Sequence, residues 1–263
     1  TLSIDQGSIY GLLGKNGAGK STLLKNLIGL LFPLTGSIAV NGFVPKKRQP
    51  SFLQTIYFIP EEVYVPALTI KGYRNLFAPF YPGFNDAEFA GYLKELDVKD
   101  EGKLNTLSFG QQKKFIIAFA LACNTKMLIL DEPTNGLDIP SKIQFRKLIA
   151  SVMHDDRTII ISTHQIRDLE NLIDRIIIVD HGSLLLNATL SEISDKLCFK
   201  TVNEVADTSK VLYAEETLKG ISIVQENFAG ENSKVNLEQL FNAVTEKPGM
   251  IKAIFSNNEI PVK

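Results

Sequence analysis

Dense apolar runs of five to seven residues recur along the chain, and polar, helix-patterned stretches separate them. SIYGLLG (8–14), TIYFIP (55–60), MLILDEP (127–133), TIIISTH (158–164) and RIIIVD (175–180) are short and rich in β-branched residues. Strands buried on both faces, as in parallel sheets, look like this. Helical patterns lie at 20–30, 108–123, 140–153 and 165–173. Strand alternating with helix predicts an α/β fold with a mainly parallel sheet and right-handed crossovers.

Two regions depart from this rhythm. Residues 64–106 carry aromatics and prolines (LFAPFYPGF, 76–84) and then helical patterns, with no strand pattern. They read as a helical insertion. Beyond residue 198, KVLYAEE and GISIVQE read as two strands. VNLEQLFNAVTE reads as an amphipathic helix with Leu237, Leu240, Phe241 and Val244 on one face. The expected organisation is a core of 1–63 and 125–195, a helical subdomain of 64–124, and a small α+β accessory domain of 196–263.

Composition narrows the function. The chain has 263 residues, is 44% hydrophobic and carries a formal net charge of -1. That balance gives no broad basic surface, so no nucleic-acid partner is expected. The basic run PKKRQP (45–50) is flanked by prolines and reads as a solvated loop. Cys123 and Cys198 make no disulfide framework, which fits a reducing compartment. No apolar stretch approaches the roughly 20 residues of a membrane span. The first residues carry no signal-peptide pattern. The expectation is a soluble protein that docks on a membrane partner.

GKNGAGKST (14–22) fits G-x-x-x-x-G-K-[ST] from Gly14 to Ser21, between a strand and a helix. Gly14, Lys15, Asn16, Gly17, Ala18 and Gly19 would turn backbone amides onto phosphate oxygens. Lys20 would neutralise the β- and γ-phosphates of ATP, Ser21 would offer its hydroxyl to Mg²⁺, and Thr22 closes the motif. The helix N-terminus adds partial positive charge. MLILDEPT (127–134) ends a buried strand in two adjacent carboxylates. Asp131 would hold Mg²⁺ through water, and Glu132 would orient and deprotonate the attacking water. His164 ends the strand TIIISTH, at the sheet edge where ligands bind in α/β folds, and would sense the γ-phosphate. His154 and His181 read as solvated.

LSFGQQKK (107–114) precedes the apolar run FIIAFALAC. Ser108 and Gln111 have the spacing of a helix capping box, in which each side chain satisfies an amide of the first turn.

Taken together, these residues resemble the nucleotide-binding subunit of an ATP-binding cassette (ABC) transporter. GKNGAGKST, LILDEPT, NGLD (135–138) and STH stand in the family's order, over about residues 1–195. The family's signature reads roughly L-S-G-G-Q and begins a helix, as LSFGQ does here. The resemblance implies a phosphate-loop ATPase that closes ATP between two subunits packed head to tail. Ser108, Phe109, Gly110 and Gln111 would then cap the γ-phosphate held by the partner subunit, with Asp138 in the D-loop. Phe109 replaces a glycine, so its ring must point away from the phosphate. Where the family has a glutamine that reaches Mg²⁺, this chain has Glu61. It is either a metal ligand or a loop residue facing solvent. The resemblance also implies an adenine-stacking aromatic ahead of SIYGLLG, and no residue of this sequence is assigned to it.

The implied function is an ATP-hydrolysing subunit that powers separate transmembrane permease subunits, of exporter type. It would act as a homodimer or as a heterodimer with a related ATPase, on the cytoplasmic face of the cell membrane. The alternatives are a soluble ABC ATPase acting on ribosomes or DNA, or an ATP switch without turnover. One cassette, the short span from Glu61 to Leu107, and the presence of both Glu132 and His164 weigh against them.

Overall fold

The computed structural model describes residues 1–100, 102–204, 207–228 and 230–256. In chain order these form β1 (Ile9–Leu13), α1 (Lys20–Leu27), α2 (Pro50–Leu53), β2 (Ile56–Ile59), α3 (Ile70–Phe77) and α4 (Asp86–Glu95). Then come α5 (Phe109–Ala122), β3 (Met127–Asp131), α6 (Ile139–Ser151), β4 (Thr158–Thr163), β5 (Arg175–Asp180) and β6 (Ser183–Thr189). The chain continues through α7 (Leu190–Lys196), β7 (Leu197–Val202), β8 (Val211–Thr217), β9 (Gly220–Glu226), α8 (Leu237–Glu246) and α9 (Pro248–Ser256). They divide into two compact units.

The larger unit comprises Ser3–Tyr10 and Lys20–Thr163. Its strands β2, β3 and β4 run parallel, with Ile56 opposite Met127 and Met127 opposite Thr158. Every residue of β3 and β4 is buried, as continuous apolar runs between covering layers require. The expected strands therefore form, and the fold is α/β with parallel pairing.

Residues 64–100 and 102–124 contain α3, α4 and α5 and no strand among the described residues. The aromatics noted in the sequence supply their core. Phe119 of α5 lies 5.0 Å from Tyr73, 5.2 Å from Phe84 and 5.7 Å from Phe89 between ring centroids. Tilted and edge-to-face pairs at this spacing are favourable beyond their buried area. Tyr57 of β2 reaches the same ring at 6.1 Å, which ties the helices to the sheet. Helix α5 is buried all round from Phe115 to Ala122, as a uniformly apolar helix must be.

The smaller unit comprises Thr1–Leu2, Gly11–Gly19 and His164–Lys263, of which 257–263 lie outside the described residues. Here β5 pairs antiparallel with β6, and β7, β9 and β8 form a three-stranded antiparallel sheet in that order. Helix α8 packs on β8 and β9 through Leu237, Leu240, Ala243 and Val244, while Phe241 is only half-buried.

Two helices expected from the sequence are shorter than their patterns. The segment 20–30 stops at Leu27, because Gly29 adopts φ +69° and the amide of Leu30 bonds back to Lys25 O at 2.9 Å. The segment 165–173 is only a 3₁₀ turn at Ile166–Leu169, and Glu170, with ψ 132°, leaves the helical conformation and ends it. Strands β6 and β7 were not expected. His181 (φ +44°) and Gly182 (φ +74°) make the tight turn into β6.

Candidate functional site

The phosphate loop follows β1, whose five residues are all buried. Gly14 has to be glycine, since a Cβ there would stand 2.6 Å from Val179 O. Lys15, Asn16 and Gly17 are exposed. Gly17 (φ +80°) and Gly19 (φ +102°) adopt the left-handed conformations that turn successive amides to one side. A Cβ at Gly17 would meet nothing within 4 Å, so it is the left-handed backbone and not space that favours glycine there. Ala18 N donates to Lys15 O at 3.0 Å, and Gly182 N donates to Ala18 O at 3.1 Å, which fixes the loop's far side. Lys20 opens α1 and is 7% exposed. Ser21 follows it on α1, which packs against β3.

That strand ends in the paired acids, and both are buried. Ser162 Oγ donates to Asp131 Oδ1. Thr163 Oγ1 donates to Glu132 Oε2 at 3.0 Å, and Glu132 N donates to Ser162 O at 3.0 Å. Glu132 stands at φ +47°. Such a backbone costs about 1–3 kcal/mol in a residue that is not glycine, and it persists where function over-determines it. The hydroxyls of β4 thus hold both acids in one orientation. His164, one residue past β4, is exposed. His154 and His181 are exposed too, as expected.

At the start of α5, Ser108 Oγ accepts from Gln111 N at 3.3 Å. The second half of the expected capping box does not form. Gln111 reaches away instead, donating through Nε2 to Asp97 O and accepting from Lys99 N, each at 3.0 Å. It anchors the chain leaving α4, because those backbone groups have lost their helical partners. A complete capping box does form at the start of α7, between Thr189 and Glu192.

Residues 108–111 and Lys114 line one side of an open cleft of about 420 Å³, and Gly136, Leu137, Asp138 and Ser141 line the other. Asp138 caps α6, accepting from Ser141 N at 2.9 Å. Hydrogen bonds from Ser141 hold the Asp138 carboxyl below the usual carboxylate range. Phe109 lies against the D-loop. A Cβ on Gly136 (φ +81°) would stand 2.7 Å from its ring. Gly136→Ala is therefore expected to lower stability by about 1–2 kcal/mol from the backbone alone. The measurement is the thermal midpoint, and Phe109→Ala should return only the part due to the clash. An unchanged midpoint for Gly136→Ala would contradict the left-handed backbone at 136, and a Phe109→Ala change that returned nothing would mean the two do not meet.

Glu61 is exposed, and its Oε1 accepts from Asn135 Nδ2 at 3.1 Å. Four supporting residues escaped the sequence reading: Asn135 on Glu61, Ser162 on Asp131, Thr163 on Glu132, and Lys113. Lys113 is wholly buried and donates from Nζ to Glu132 O at 2.7 Å and to Glu61 O at 3.1 Å. A charge next to a long apolar run, on its buried face, was the available signal.

Within the larger unit the donors suit phosphate with Mg²⁺: a lysine and a hydroxyl at the start of α1, and carboxylate oxygens at the end of β3. No cluster of three or more His, Cys, Asp or Glu able to hold a metal alone occurs among the described residues.

Residues 1–135 match the ABC transporter family model. The chain is 31% identical over 238 residues to the uncharacterized ABC transporter ATP-binding protein YdbJ of Bacillus subtilis (strain 168), covering 86% of this chain and 76% of that one. It is 33% identical over 191 residues to the SkfA peptide export ATP-binding protein SkfE of the same organism, covering 70% and 79%. Among solved structures, the dimeric post-hydrolysis state of the ATP-binding cassette MJ0796 bound to ADP and Pi is similar. Its TM-score is 0.62 at 26% identity, over 72% of this chain and 88% of that one. The chain belongs to the ABC transporter family of ATP-binding proteins and is an ATPase of that family.

Proposed function

We propose that this ATPase powers an exporter-type transporter with separate transmembrane subunits, closing ATP between two copies packed head to tail. The observation that carries this is the cleft at the start of α5, where Ser108 and the first amides of the helix open to solvent beside Asp138. A helix N-terminus presented this way suits a phosphate brought by another subunit. The peptide-export name of one relative supports the direction of transport. No helix among the described residues is long and apolar enough to cross a membrane; the proposal places the membrane path in separate subunits. The workplace is then the cytoplasmic face of the cell membrane. The organisation is a core of 1–63 and 125–195, a helical subdomain of 64–124 and an accessory domain of 196–263.

Each group has one task. Gly14 to Gly19 cradle the phosphates with amides, Lys20 carries the balancing charge, and Thr22 completes the loop. Ser21 and Asp131 would hold Mg²⁺, with Glu61 as a further oxygen ligand. The cation would supply charge neutralisation for the bound phosphates. Glu132 accepts the proton of the attacking water, its carboxylate oriented by Thr163. His164 hydrogen-bonds the γ-phosphate. Ser108, Gly110 and Gln111 complete the site of the partner copy, with Phe109 turned onto Gly136 and out of the way.

The reading is tested by hydrolysis per subunit at rising protein concentration. A site completed in trans gives a rising curve, and a flat one would count against it. Co-expression with a multi-span membrane protein, should one be encoded beside the gene, is expected to carry the chain into the membrane fraction.

Glu61→Gln should tighten ATP binding in EDTA and shift the Mg²⁺ dependence of hydrolysis, because it removes a negative charge near the phosphates. Thermal unfolding without nucleotide should barely move. ATP titrations with EDTA and with Mg²⁺ decide it. Identical curves for both proteins would remove Glu61 from the metal.

A further inference from the structure

We propose that Lys113 is a positioning residue for hydrolysis, and that its ammonium is the counter-charge that lets a carboxylate stand at position 61. The inference rests on the reading of Asp131, Glu132 and Glu61 as the hydrolytic machinery.

Lys113 sits on α5, four residues beyond the helix start, with no exposed surface. A buried ammonium is costly unless paired and hydrogen-bonded. Its hydrogen bonds go to two backbone carbonyls, those of Glu132 and Glu61. They join the signature helix, the end of β3 and the loop after β2 at one atom. The carbonyls supply only partial charge. The full negative charges acting on the ammonium come from Glu61, Glu132 and Asp131, and they oppose the downward pull of burial on its pKa.

The chain's two departures from the family motifs also meet here. Glu61 stands where the family has glutamine, and Phe109 where it has glycine. The Phe109 ring lies 5.6 Å from Lys113 Nζ, within cation–π range. One departure adds a negative charge beside the ammonium, and the other covers it with an aromatic face. A neutral side chain at 113 would leave Glu61, Glu132 and Asp131 without the opposing charge of this ammonium.

The test is a double-mutant cycle with Lys113→Gln and Glu61→Gln, read as affinity for a fluorescent ATP analogue in EDTA and as Mg²⁺ half-saturation of hydrolysis. Glutamine can still donate to a carbonyl, so the pair isolates the charge. Lys113→Gln should weaken metal-free binding in the Glu61 protein. The loss should shrink by about fivefold or more when Glu61→Gln is also present, as coupled neighbours do. Lys113→Arg, which keeps the charge, should stay near wild type in the EDTA titration. Equal losses in both backgrounds would overturn the proposal. Should Lys113→Gln fail to purify alone, its recovery with Glu61→Gln is the same coupling read as soluble yield, and failure there too overturns it. The underlying reading is judged separately. If Glu132→Gln hydrolyses ATP normally, that reading falls. If Glu132→Gln is inactive and the cycle is additive, only the role of Lys113 falls.

Discussion

Glu132→Gln is expected to bind ATP and to lose turnover by about 10²–10⁴-fold, the usual cost of removing a general base. The carboxylate is buried and fixed by the Thr163 hydroxyl at 3.0 Å. An amide oxygen can accept the same hydrogen bond, so the shape of the site survives. It cannot take the proton of the attacking water. ATP should then stay trapped, and the closed dimer should appear in size-exclusion chromatography with ATP. Wild-type turnover would move the base elsewhere, with Glu61 the next candidate.

Lys20→Ala is expected to lose nucleotide binding by about a hundredfold or more, because charge-assisted contacts to phosphate are among the strongest available. The side chain is 7% exposed, so its removal also leaves a small void. Thermal unfolding with and without ATP separates the two effects. The void lowers both midpoints, while lost binding removes the gain that ATP gives the wild type. A fluorescent ATP analogue bound with near wild-type affinity would contradict the phosphate-loop assignment.

The parallel strands were legible because their burial leaves no polar positions to blur the pattern. The apolar runs at 127–131 and 158–163 coincide with β3 and β4. Strand β6 was hidden because it is half solvated: Leu184 is 40% exposed while Leu186 and Ala188 are buried. Its signal was the two-residue turn His181–Gly182. Strand β7 was hidden because it follows α7 with no intervening loop. The helix at 165–173 failed at Glu170, whose ψ of 132° ends the 3₁₀ turn, a backbone angle that periodicity does not register.

At the site, chemistry borne by local motifs was legible. Contacts made across the fold were not. Nothing in the order of residues says that Thr163 orients Glu132, that Asn135 holds Glu61, or that Gln111 turns from Ser108 to Asp97. Lys113 shows the same limit. Its neighbours in sequence make it look like a solvated charge, and its neighbours in space are the carbonyls of Glu61 and Glu132.

The head-to-tail site is tested most directly by mixing two inactive variants, Lys20→Ala and Ser108→Ala. Each spoils both sites of its own dimer, one at the phosphate loop and one at the signature. A mixed dimer keeps one site with both parts intact. With random pairing and independent sites, the mixture should recover about a quarter of the wild-type ATPase rate. A mixture no more active than the sum of the separate variants would contradict the composite site.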